Sequence, residues 1–368
     1  MKLKQVKPLE YNVIQMVNGI LEITTFNQKT KQLIIYKVDD LVLSNDLLLI
    51  VDDKTLNMIK LLYEQSSISI TTDKNVVTIK GKNATYKASM LEKKSLPIIN
   101  ESNLISVKTS LKALKKATKF VSKSDTKPVL TGVFLQENGK VLATDAYKAY
   151  LYNPSDLPVE EKPKQYVMPT WFIDAIQADD DEVEIKVSPL TAMYENEDMT
   201  VYTNLIIGDI QFERLFDSNT ISELRINKTD ISKELSIMSS LVEKNAVVKF
   251  IVNNRNLTLS TVSELNAYET IIAIENGFNT SDILTGFTLE YLQTIVGTCE
   301  DFIIITYTDA LRPFQVKSGN DRFILLPVKL WLQFLRSCYD GRSKTKENEN
   351  SLRGEFNNVW KSKSKSSW

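Results

Sequence analysis

Histidine is missing from all 368 residues. That absence removes the commonest general base, the Ser-His-Asp triad and most zinc sites. Cysteine is nearly missing too: Cys299 and Cys338 are far apart, which excludes a disulfide scaffold and a cysteine-rich metal site. Cys299 reads as a buried thiol, and a reducing cytoplasm, bacterial or that of a phage host, fits this usage. Phosphate-cradling glycine loops of the Gly-x-x-x-x-Gly-Lys-Ser/Thr and Gly-x-Gly-x-x-Gly kinds do not occur, so nucleotide hydrolysis is not expected of this chain. No signal peptide and no apolar run long enough to span a bilayer are found, so no membrane partner is expected. Glycine (11) and proline (10) are scarce beside abundant Lys, Asn and Ile, a balance that suggests an AT-rich bacterial or phage genome. No cofactor, metal or catalytic group is implied, and an enzyme is not expected.

What is present is enough apolar sequence for real cores, 43% hydrophobic in a length suited to two or three domains. Lys+Arg 45 against Asp+Glu 46 gives a formal net charge of -1, so any binding to nucleic acid must come from segregated charge. Residues 109–123 supply such segregation. Leu111, Leu114 and Val121, with Ala117 and Thr118, recur at helical spacing, and Thr109 or Ser110 can cap the start. At 100° per residue Lys112, Lys116, Lys119 and Lys123 fall nearly on one line of the opposite face, with Lys115 beside it and no carboxylate between them. Such a face either lies in solvent or has an anion across it.

One unit recurs along the chain, a short helix followed by alternating strands. Copies are read at 53–80, at 109–152, from Pro169 to Ile207, from Thr229 to Ile274, and from Thr288 to Leu326. Residues 1–47 read as a worn first copy with Tyr11 to Met16 as its short helix. Six units pair into three domains, with polar linkers expected near Leu96 to Ser102 and Asp217 to Ser222.

Four blocks then become specific: Lys127-Pro-Val-Leu-Thr-Gly132, Ala143-Thr-Asp-Ala-Tyr-Lys148, Phe212-Glu-Arg-Leu215 and Leu325-Leu-Pro-Val-Lys-Leu330. In this order they resemble the bacterial-type β sliding clamps, the processivity subunit of DNA polymerase III, over about residues 48–330 and only weakly before that. The resemblance implies an α+β DNA clamp fold of three similar domains, each of two helix-plus-strands repeats, closing head to tail into a homodimeric ring. The expected divisions are 1–101 (a shortened domain), 102–220, 221–330 and an extension at 331–368. It departs from the family at Ala146-Tyr147-Lys148-Ala149, where Gly-His-Arg-Leu is usual, and at Gln211, near which a proline is typical.

On that scaffold the lysine helix acquires a role. A clamp holds duplex DNA without reading it, and mobile lysines against phosphate position without specifying. The expected DNA contacts are Lys112, Lys115, Lys116, Lys119, Lys123 and Lys127. The resemblance also implies a cleft that takes short apolar motifs from a replicative DNA polymerase, a clamp loader and other clamp-binding proteins. Its matching positions are Leu130, Thr144, Ala146, Tyr147, Ala149, Gln211, Leu215, Ile324, Leu326 and Pro327. Leu130, Leu215 and Leu326 read equally well as ordinary core residues. Tyr86, on an edge strand of the first domain, is the expected ring contact.

Two features stand outside this reading. The run Asp179-Asp-Asp-Glu182 is expected to be a solvated turn rather than a metal site. Trp331-Leu-Gln-Phe-Leu335 is apolar enough to pack on the body, whereas Phe356, Trp360 and Trp368, interleaved with lysines, suit either an unstructured end or the binding of a partner, DNA or the cleft itself. A clamp-like scaffold for transcription or repair factors is the alternative function.

Overall fold

A computed structural model describes residues 1–330, except 42, 44–46, 97–102, 155–156, 158–163, 218–221, 254–255, 264–265, 279–281 and 329. Most of the expected linkers, Leu96 to Ser102 and Asp217 to Ser222, and the whole 331–368 extension therefore lie outside the described residues.

Six units follow one another. The first is a 3-10 turn, Leu3–Gln5, with β1 (Tyr11–Val17), β2 (Ile20–Asn27) and β3 (Gln32–Val38). The second has β4 (Leu48–Val51), α1 (Asp53–Gln65), β5 (Ser69–Asp73), β6 (Val76–Lys80) and β7 (Thr85–Ser89). The third has β8 (Ile105–Ser110), α2 (Leu111–Ala117), β9 (Gly132–Gln136), β10 (Val141–Thr144) and β11 (Lys148–Tyr152). In the fourth come β12 (Gln165–Pro169), α3 (Thr170–Ala175), β13 (Glu182–Val187), β14 (Thr191–Glu195) and β15 (Met199–Asn204). The fifth contains β16 (Ser222–Asn227), α4 (Lys228–Leu241), β17 (Val247–Asn253), β18 (Asn256–Val262), β19 (Ala267–Ala273) and β20 (Asn276–Phe278). The last is β21 (Ile283–Thr288), α5 (Leu289–Thr298), β22 (Phe302–Tyr307), β23 (Phe314–Ser318) and β24 (Asp321–Leu325).

Tyr11 to Met16 is thus a strand and not a helix. Asn18 (φ 52°) and Gly19 (φ 79°) take the left-handed conformations of a tight hairpin, which pairs Val17 with Ile20 and zips Tyr11 to Phe26. The β-branched Val13, Ile14 and Val17 favour that pairing over a helix.

The strand leading into each later helix was not part of the sequence-based unit, and it is what interlocks the fold. β8 pairs with β13 of the following unit while β12 pairs back onto β9; in the same way β16 pairs with β22 and β21 with β17. Sheets then run across unit pairs, in the orders β4-β1-β2-β3-β15-β14-β13-β8 and β12-β9-β10-β11-β24-β23-β22-β16-β20. Two smaller sheets, β5-β6-β7 and β19-β18-β17-β21, complete the set. Strand passes directly into helix at polar caps: Asp52 accepts from Thr55 N–H at 2.8 Å, Ser110 from Ala113 N–H at 3.0 Å and Asn227 from Thr229 N–H at 2.8 Å. Helices pack in pairs, α2 with α3 and α4 with α5, and bury their apolar stripes, Leu111, Leu114 and Ala117 in α2 and Leu292, Ile295 and Val296 in α5.

Candidate functional site

The lysine helix is shorter than its periodicity predicts. α2 stops at Ala117 and a 3-10 turn, Thr118–Phe120, follows. Phe120 is the cause: it is fully buried, with its ring 5.4 Å from that of Tyr150 and 5.5 Å from that of Phe323, and this packing pulls the chain inward. The single line of four lysines is broken after Lys116. Lys112, Lys115, Lys119 and Lys127 are exposed and have no ion-pair partner among the described residues. Lys116 is different, half-buried and ion-paired with Asp321, whose other oxygen accepts the Tyr150 hydroxyl at 2.7 Å. Lys123 reaches Glu290 of α5 at 3.1 Å, but it is 91% exposed and the pair is weak. So two carboxylates from distant elements lie across part of the lysine face. From the acidic run, Asp181 sits at the start of α2, where its side chain accepts from Lys112 N–H at 2.8 Å and from the Ser110 hydroxyl at 2.9 Å. A negative charge there suits the helix dipole. Asp181 is a cap, not merely a solvated turn residue.

Between the loop after α2 and the outer side of α5 lies a cleft of about 570 Å³. Tyr147 and Tyr291 stack at its edge, centroids 6.2 Å apart and planes 19° apart. Beneath them the Lys148 ammonium lies 5.2 Å from the Tyr291 ring and 5.5 Å from that of Phe120, and 2.6 Å from Asp145 Oδ2. Burial raises the Tyr291 phenol above its ordinary pKa, and the nearby carboxylates of Asp145 and Glu290 push the same way. Asp145 also accepts from the N–H groups of Tyr147 and Lys148, each at 2.9 Å. The turn this makes places Ala146 at φ 77°, where a side chain is disfavoured.

Of the positions expected to form a peptide cleft, only Tyr147 lines this cavity, and the others divide into buried and exposed. Ala149 and Ile324 face each other in the β11–β24 register, and Leu326 N–H donates to Tyr147 O at 3.0 Å. Ala149 and Ile324 belong to one buried cluster with Phe134, Leu142, Leu151 and the two phenylalanines flanking Leu215, Phe212 and Phe216. Leu130 and Thr144 are buried; Leu326 and Pro327 are half-buried; Ala146, Tyr147, Gln211 and Leu215 are exposed. Leu215 is 48% exposed, unusual for leucine, and stands on a 3-10 turn, Glu213–Asp217.

The chain as a whole has relatives. The Lactococcus lactis β sliding clamp is 24% identical over 286 residues, covering 70% of this chain and 70% of that protein. The chain is a homologue of the β sliding clamps. Its fold is theirs as well. The Thermotoga maritima DNA polymerase III β subunit superposes with a TM-score of 0.75 at 13% identity, covering 89% of this chain and 97% of that one. The Helicobacter pylori β clamp, solved with a DNA ligase peptide bound, gives 0.74 at 16% identity over 87% and 92%. No protein-family profile matches the sequence.

Within the clamp fold several residues near the site carried no sequence signal. Asp321, Glu290 and Tyr291 are far in sequence from the lysines and from Tyr147 that they meet, and only strand register and helix docking bring them together. Val129, on the 3-10 turn Pro128–Thr131, and Ile206 and Ile210, on a loop, pack on the same buried cluster. Gly132 makes room for this, since a Cβ there would lie 2.8 Å from Ile206 Cδ1 and 2.6 Å from Val167 Cγ1. Cys299 is buried as expected, and burial, with Asp321 adding, pushes its thiol up to about 12. Tyr86 lies on β7, an edge strand of its sheet, half-buried with its hydroxyl 3.5 Å from Thr55 Oγ1. No helix among the described residues is long and apolar enough to cross a membrane.

Proposed function

We propose that this protein is a replicative DNA sliding clamp that encircles duplex DNA and tethers a polymerase and other factors to it, acting as a tether and not a catalyst. The observation that carries this reading is the coincidence of clamp homology with exposed lysines at one helix end. Lys112, Lys115, Lys119 and Lys127 are the proposed phosphate contacts, with Lys123 available at the small cost of an exposed ion pair and Lys116 assigned to holding Asp321. The division into three domains at 1–101, 102–220 and 221–330 follows the interlocked unit pairs. The free edges of β7 and β19 are suited to meet head to tail in a two-chain ring, with Tyr86 at the contact. The cleft around Ala149, Ile324, Leu215 and Leu326 is the proposed seat for partner peptides, such as the ligase peptide of the Helicobacter pylori clamp.

Loading on circular DNA tests the reading. The protein is expected to stay on a nicked circle and to run off once the circle is linearised, because topology rather than contact energy retains it. Equal retention on both forms, or a strictly monomeric solution mass, overturns it.

A further inference from the structure

Lys140 is completely buried, in the turn between β9 and β10, and its ammonium lies 2.6 Å from Glu213 Oε1. The second carboxylate oxygen accepts from Gln136 Nε2 at 2.8 Å, and Glu213 is itself only 4% exposed. Taking two such charges out of water costs several kcal/mol for each ion, and apolar replacements of similar volume are often no less stable. Stability is therefore a poor explanation for the pair. Direction is a better one.

Much of the packing of the segment that carries Leu215 is nondirectional. Phe212 meets Phe134 edge to face at 5.5 Å, and Phe216 is buried beside it. Apolar surfaces of this kind fix depth but tolerate sliding and rotation. Glu213, the first residue of the turn, has each carboxylate oxygen held by a different side chain of the β9–β10 hairpin, which fixes it in two directions. Gln315 of β23 also donates to Leu215 O at 3.4 Å. These ties hold the turn on which the exposed Leu215 stands.

We infer that the buried Lys140–Glu213–Gln136 network positions Leu215 as one wall of the partner-peptide cleft, and so helps decide which apolar anchors the cleft accepts. The part concerning peptides rests on the proposed function; the positioning itself does not. Directional polar pairs of this type are suited to setting register where packing alone leaves it degenerate.

The test compares global stability with local order in the full chain. In Lys140→Met/Glu213→Leu the melting temperature is expected to return to about that of the parent, while amide exchange of residues 212–217 accelerates about tenfold. Restored melting with unchanged exchange at 212–217 overturns the inference. Should the double variant not fold, Lys140→Met/Glu213→Gln gives the same comparison, since it removes both charges together and the amide keeps the shape of residue 213. Binding of the Helicobacter pylori ligase peptide is followed in parallel. Wild-type binding that Leu326→Asp leaves untouched refutes the proposed cleft, while the exchange data still decide the positioning role.

Discussion

Two strand pairings carry sheets from one unit pair to the next, and they are chemically unlike. At β3–β15 the facing residues are Leu33 and Tyr202, Ile34 and Val201, Ile35 and Thr200, and Tyr36 and Met199, an apolar seam with its charges confined to one end, where the amino terminus meets Asp198 at 2.7 Å. At β11–β24 the same antiparallel solution places Tyr150 opposite Phe323 and Tyr152 opposite Asp321, and loads the seam with Lys116, Lys148 and Asp145. The backbone hydrogen bonds would hold either seam. What differs is that the second must also bring the lysine loop, the Tyr147–Tyr291 stack and the buried pair of Ala149 and Ile324 into one place, and it does so with directional contacts. Polar groups are concentrated where geometry matters, and apolar ones where only adhesion does.

The largest expected effect is at the centre of the second seam. Asp321→Ala leaves the buried Tyr150 hydroxyl without its acceptor and the half-buried Lys116 without its counter-charge, and should lower the unfolding free energy by about 3 kcal/mol. Urea denaturation measures this, and a loss below about 1 kcal/mol would mean that the seam is held by its ladder and apolar packing, as the first one is. A smaller effect of opposite sign is expected at the adjoining turn. Ala146→Gly relieves a side chain held at φ 77° and should stabilise by about 0.5–1 kcal/mol, seen as a rise in melting temperature. No rise would show that the turn is not strained. The smallest effect belongs to the rim, where Lys123→Ala should change stability by less than about 0.5 kcal/mol because its pair with Glu290 is exposed. A larger loss would extend the directional seam out to solvent.

Legibility varied with the range of the interactions involved. α1, α4 and α5 lie close to where their periodicity puts them, since each has an apolar stripe dense enough to be read locally. The first unit was misread although Asn18-Gly19 is a hairpin signal, because a repeat pattern was extended over a segment whose own turn chemistry contradicted it. The expected cleft positions came from blocks of sequence resembling a family, and which of them are buried came only from the structure, with Ala149 and Ile324 inside and Tyr147 and Leu215 outside.

By itself the sequence determined the cationic character of residues 112–127, the absence of histidine chemistry and the order of the four blocks, because these depend on residue identity and short spacing alone. Which lysines remain free was decided by tertiary structure. Lys116 faces Asp321 across 205 residues of chain, and Lys123 faces Glu290 across 167. The buried partner of Lys140, 73 residues away, was decided in the same way. A charge is a property of a residue, but its neutralisation is a property of a pair, and strand register between distant units chooses the partner.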